Sequence, residues 1–314
     1  MKPRLALAKK PGPGFELQSL GGTQLKKKAS IVMTFILPTL LLYLSMVIYP
    51  VIRSFLGGFY QWDGLGKPVF IGLDNYVNLF QDKDFFTANL NGLKFAAVLV
   101  IYQIGFGTLI ALLLVSHRIK YKRFFKNAFF IPVVLSVTVV CQLWLTIYNG
   151  HHGLLNLIFE RLGSDFRQDW LGNPRTSIWA VALVNAWQFM GYHMLLFYSA
   201  VHGIPDYYFE AARLDGASTV QAHLKVTLPL LQETYKVSFV MAITGGLKAF
   251  EHMAIMTGGG PGTATFTPTY FMYRAAFRLG EFGYASSSVV ILVLECLLFT
   301  ILINQLIARE RIVL

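Results

Sequence analysis

The chain has 314 residues, 55% of them hydrophobic and only 14% charged, with a net charge of +11. Soluble domains usually carry about 25% charged residues, so the composition excludes an ordinary soluble enzyme and points to a membrane protein. The apolar runs offer no basic, aromatic-interleaved surface, which sets nucleic-acid binding aside despite the positive charge.

The first 28 residues form a basic tail ending in Lys26-Lys27-Lys28, with Lys9-Lys10-Pro11-Gly12-Pro13-Gly14 of disordered composition. Such a tail suits an orientation signal lying against anionic lipid. The apolar run that follows, Ala29 to Val51, continues for more than 20 residues without a small-residue cleavage site, as expected of a retained anchor. Since about 20 apolar residues cross a bilayer, five further spans are expected at 93–115, 128–148, 178–201, 237–256 and 288–308. The piece between the first two spans, Ile52 to Gly92, is near the lower size limit for independent folding, so function is expected in the bundle and its loops.

Lys and Arg are distributed unevenly over the loops. With the N-terminus inside, the inner pieces (tail, Arg118 to Lys126, the loop after the fourth span, and 309–314) carry 17 of the 27, the outer pieces 8, and Lys94 and Lys248 fall in spans. Both termini and the fourth loop are therefore expected in the cytoplasm, in an all-α protein of six transmembrane helices.

That fourth loop, 205–231, reads as a polar helical hairpin. Pro205 suits a first helical position, Gly216 can end a helix in the left-handed conformation, and Ser218-Thr219-Val220-Gln221 reads as a capping box. Pro229 is expected to stop the second helix.

Within the spans, polar side chains are costly and mark a pathway or a structural bond. Asn185, Gln188 and Tyr192 lie along one face of the fourth span beside Trp187 and Phe189, a surface suited either to sugar hydroxyls or to helix–helix hydrogen bonds. Thr244, Lys248 and Glu251 fall on one face of the fifth, where Lys248 and Glu251 could neutralise each other or meet a ligand. Gly245-Gly246 weakens that helix and lets backbones approach. Gln103 and Glu295 read as interhelical bonds. Cys141 and Cys296 sit in apolar runs as small buried hydrophobes. The adjacent pair His151-His152 lacks the spacing of a helical metal site, and Gly258-Gly259-Gly260-Pro261-Gly262 lacks the flanks of a phosphate loop, so neither metal nor catalytic residues are expected.

Three stretches carry a family resemblance: EAARLDGASTVQAHLKVTLPLL in the hairpin, FIGLDNYVNLFQDKDFF at Phe70 to Phe86, and LKAFEHMAIMTGGGPGTATFTPTYFMYRAAF at Leu247 to Phe277. From about Ile31 onward the chain resembles the permease subunits of binding-protein-dependent carbohydrate ABC importers, the family that includes the maltose and glycerol-3-phosphate permeases. The resemblance implies a multi-pass protein of the bacterial inner membrane working with a second permease subunit, two ATPase subunits that hold ATP and Mg, and an extracytoplasmic solute-binding protein. No cofactor is implied for this chain. Glu210, Ala211, Ala212, Asp215, Gly216 and Ala217 match the motif that docks on the ATPase. Two departures stand out: His223 replaces a frequent aromatic, and Gln232-Glu233 replace a further proline. The alternative from another class is an ion-coupled secondary transporter, with Lys248, Glu251 or His193 carrying protons.

Overall fold

The computed structural model describes residues 33–116 and 119–307; the basic tail, the start of the first span, Arg118, Ala308 and the segment 309–314 lie outside the described residues. The chain divides into two compact units, Met1–Arg53 and Ser54–Leu314. In the first unit the described residues belong to one apolar helix, α1 (Met33–Gly57), whose last residues pass into the second unit. Its ladder widens into a π turn at Leu44–Ile48, where the Tyr49 amide bonds back to the Leu44 carbonyl just ahead of Pro50. Proline has no amide to continue the ladder, and the five-residue step makes room for its ring.

The second unit is almost wholly helical among the described residues. Its one sheet element is a short antiparallel ladder pairing β1 (Tyr60–Gln61) with β2 (Val69–Phe70), which an all-α reading does not include. The helix α2 (Asp74–Leu79) follows, then the long apolar α3 (Lys83–Val115), capped by the Asp82 side chain. Where one span was expected at 128–148 there are two helices, α4 (Lys122–Val134) and α5 (Val137–Ile147), bent by 100°. Leu135 and Ser136 are both extended at the corner, three and four residues after Pro132, whose missing amide has already interrupted the ladder.

After α6 (Leu154–Arg161), α7 (Ser177–His202) runs without a break through the middle of the unit, packed against α3 and α4. Val181, Val184, Met194 and Phe197 of α7 join Phe95 and Leu99 of α3 in the core. The hairpin helices are α8 (Asp206–Leu214) and α9, which runs over 219–230. The fifth hydrophobic stretch is also interrupted: α10 (Gln232–Leu247) stops, and α11 (Glu251–Met256) restarts after the non-helical backbone of Lys248 to Phe250. Gly246 faces α3 so closely that a Cβ there would lie 2.6 Å from the Ala96 Cα. The chain continues through α12 (Pro268–Tyr273) into α13 (Phe282–Ile307). Among the described residues five helical segments, with Gln232–Met256 taken as one across its interruption, are long and apolar enough to cross a membrane, six if the bent pair is one span.

Candidate functional site

The hairpin is built by local chemistry. Pro205 is extended and caps α8 from outside instead of occupying its first turn. At the far end the Ala217 amide bonds the Ala212 carbonyl at 2.9 Å and the Gly216 amide bonds the Arg213 carbonyl at 3.0 Å. This is the paired closure that requires a left-handed residue, and Gly216 supplies it at φ +77°. The Ser218 amide donates to Gln221 Oε1 at 2.8 Å and the Gln221 amide to Ser218 Oγ at 3.3 Å, completing the capping box that starts α9.

Pro229 does not stop α9. A π turn at His223–Thr227, closed by the Leu228 amide on the His223 carbonyl, precedes it as in α1, and the helix ends one residue after it, at Leu230. Nor does the absent proline at Gln232-Glu233 prevent α10 from starting there.

Ala212 and Ala222 are buried, whereas Glu210, Ala211, Asp215 and Gly216 are exposed and Ala217 is half-buried. Glu210 and Asp215 make no ion pair among the described residues. His223 turns inward, its Nδ1 3.1 Å from the buried Thr227 Oγ1, and partial burial holds its imidazole below the ordinary histidine pKa. What the tip presents instead is apolar: Leu214 is 89% exposed, Val220 66% and Leu224 58%. Motif reading passes over these residues; the signal available for them is a large aliphatic side chain in a segment otherwise polar.

A second constellation lies inside the bundle. Gln188 Nε2 donates 3.1 Å to the Leu135 carbonyl at the α4–α5 corner, and its Oε1 accepts from His252 Nε2 at 3.0 Å. Asn185 Nδ2 lies 3.3 Å from His252 Nδ1, while Gln103 Nε2 reaches Asn185 Oδ1 at 3.3 Å and the Asn185 carbonyl at 3.4 Å. Every donor meets an acceptor only if His252 is neutral with its proton on Nε2. Gln103, Gln188 and His252 are 3%, 1% and 2% exposed, so no solvent competes. Asn185 and Gln188 are brought together, and His252, singled out by no motif, joins them.

Tyr192, one turn further along α7, is exposed instead of buried with them. Lys248 and Glu251 are likewise exposed and form no ion pair among the described residues, because the helix stops at Leu247 and their three-residue spacing no longer puts them on one face. Thr244 bonds the Val240 carbonyl at 2.7 Å. Among the described residues buried His193 has no partner for its Nδ1, nor Glu295 for its Oε2. The amides of His151 and His152 both bond Asn149 Oδ1 in a turn, and no group of three potential metal ligands occurs among the described residues.

Broken apolar spans around a buried polar chain, with a capped hairpin between α7 and α10, define a multi-pass membrane protein. Residues 103–312 match the family of binding-protein-dependent transport system inner membrane components. The chain is 35% identical over 271 residues to the probable ABC transporter permease protein YurN of Bacillus subtilis, covering 85% of this chain and 92% of that protein. It is 33% identical over 247 residues to the xylose/arabinose import permease protein XacH of Haloferax volcanii, covering 78% of this chain and 77% of that one. A chain from a bacterial ABC transporter involved in import of the acidic polysaccharide alginate has the same fold, with a TM-score of 0.78 at 21% identity over 90% of this chain and 96% of its own. That transporter has also been solved with a periplasmic protein bound to alginate pentasaccharide. The chain belongs to the family of binding-protein-dependent transport system inner membrane components.

Proposed function

We propose that this chain is one of two permease subunits lining the pathway of an ABC importer that moves a sugar or sugar-derived solute across a bacterial cytoplasmic membrane. A solute-binding protein outside delivers the solute, and two cytoplasmic ATPase subunits hold ATP and Mg. The chain itself catalyses nothing. The hairpin carries the reading: two opposed caps hold a rigid elbow whose aliphatic tip, Leu214, Val220 and Leu224, is exposed as a docking element would be. ATP-driven closure of the ATPases draws this elbow and its counterpart together, and rigid-body motion of the bundles opens the pathway outward. The charge asymmetry of the loops supports a cytoplasmic hairpin, and the sugars named for relatives support the solute class.

Gln188 and Asn185 are engaged in structural bonds, which leaves Tyr192, Lys248 and Glu251, exposed on this chain, with Thr244, as the side chains assigned to the pathway. Uptake by vesicles holding the assembled complex tests the reading. Transport should survive collapse of the proton gradient and stop when ATP is withdrawn; the opposite pattern makes the chain a secondary transporter.

A further inference from the structure

Three interruptions of helical backbone lie on the one chain of buried hydrogen bonds. α3 widens into a π turn at Val100–Phe106, α4 and α5 meet at a 100° corner, and α10 gives way to α11 across Lys248 to Phe250. Between them α7 is continuous from Ser177 to His202. Gln103 comes from the π turn, Leu135 offers its carbonyl at the corner, His252 sits in the first turn of α11, and Asn185 and Gln188 on α7 join them.

A continuous helix resists bending because each amide is bonded one turn back; kinks occur where that ladder is interrupted. π turns of this kind are frequent at functional sites. Each interruption also frees backbone groups that hydrocarbon cannot satisfy. The Ala249 carbonyl is met by Thr267 Oγ1 at 2.6 Å, but the Leu135 carbonyl is met by Gln188, whose other end is committed to His252. Turning any one break therefore disturbs a bond anchored at another, and in a buried site no water replaces it. The hairpin joins the end of α7 to the start of α10, so a displacement there enters α7 directly and reaches α11 through α10 and the Lys248 to Phe250 interruption.

We propose that His252 is a positioning residue, the latch of a hinge layer that makes the α3, α4–α5 and α10–α11 interruptions turn together about α7 when the hairpin moves. The inference rests on the importer reading above. Its role is mechanical: the chain is neutral throughout, and a proton added to His252 Nδ1 would face the Asn185 amide, donor against donor.

The test uses the full complex in proteoliposomes, with solute taken up and ATP hydrolysed measured in the same vesicles. His252→Leu removes both ring nitrogens at similar size, whereas His252→Gln retains one donor and one acceptor. The leucine variant should hydrolyse ATP at no less than the wild-type rate while moving about fivefold less solute per ATP, the lower end of typical coupling between sites. The glutamine variant should recover most of that ratio. Should the leucine variant fail to assemble, Asn185→Ser, which cuts the chain at a half-buried side chain, must show the same loss per ATP. An unchanged ratio, or uptake and hydrolysis falling in step, reduces His252 to packing and overturns the latch. Absence of ATP-driven uptake by the wild-type complex overturns the importer reading itself, and the latch with it.

Discussion

Substitution at Gly216 isolates the hairpin's geometry from its surface chemistry. The residue stands at φ +77°, and a Cβ there would meet nothing within 4 Å, so alanine pays only the intrinsic left-handed cost, about 1–2 kcal/mol. That is a factor of about 5 to 30 between the closed elbow and an opened one. Asparagine visits this region more readily. Proline cannot: its φ is fixed near about −65°, and it lacks the amide that Gly216 donates to Arg213 at 3.0 Å. The readout is ATP hydrolysis by the assembled complex on addition of solute-loaded binding protein, normalised to the amount of this chain in the membrane. Stimulation should fall in the order glycine, asparagine, alanine, proline, with alanine several-fold down and proline abolished at normal membrane levels. Alanine and proline equal to wild type, or asparagine below alanine, would refute a role for the closed elbow.

Three further outcomes follow from the same geometry. Leu214→Glu should cut capture of the ATPase subunits at least about tenfold, the loss expected for a buried interface anchor, with the chain's own thermal unfolding unchanged because Leu214 is 89% exposed; undiminished capture excludes it from the interface. Gln188→Ala leaves the Leu135 carbonyl and His252 Nε2 without partners, at about 1–3 kcal/mol for each buried group, and should lower the unfolding midpoint in detergent, whereas Tyr192→Phe on the exposed face should not; equal midpoints for both contradict the buried chain. Burial lowers the pKa of His223 below 6.5, so the folded hairpin holds fewer protons than the unfolded one just below that pH, and its stability is complete above pH 6.5 and falls as the pH drops. Amide protection factors over 219–230, with the intrinsic pH dependence of exchange divided out, should fall between about pH 7.5 and 5.5, and His223→Gln should remove that fall; the same fall in both proteins rules His223 out as its source.

The parts legible in the sequence are those whose causes are local. Gly216, Ser218 and Gln221 act on amides within a few residues, so their types and spacing determine the elbow before any packing is known. The apolar runs were equally readable because bilayer thickness sets their length. Continuity of those runs was not. Pro132 lies in the third and Gly245-Gly246 in the fifth, yet whether such residues kink, end or merely loosen a helix depends on what accepts the freed backbone groups. The donors that meet the freed carbonyls are Gln188, 53 residues from Leu135, and Thr267, 18 from Ala249. Lys248 and Glu251 were paired on the assumption of an unbroken helix, and the pairing lapses with the break. Pro229 errs the other way: the π turn ahead of it, not visible in residue types, lets the helix pass. The role of His252 is not legible in residue types, because its partners are 67 and 64 residues away and its neighbour Glu251 carries the more conspicuous charge.

This division has a mechanical sense. In the proposed function an elbow that presses on a partner needs a shape independent of the bundle's state, and cap bonds confined to residues 212–221 provide that. A hinge that must respond to the elbow needs the opposite, bonds between helices whose alignment changes when the elbow moves, and the Gln103–Asn185–His252–Gln188 chain consists of nothing else. Local bonds alone would give a bundle whose spans bend separately, and interhelical bonds alone an elbow that yields before its load reaches α7 and α10. The neutral character of the chain belongs to the same requirement. Amide and imidazole bonds of about 3 Å hold direction without the desolvation cost that an ion pair would carry in the membrane interior, so the layer can shift without exposing a bare charge.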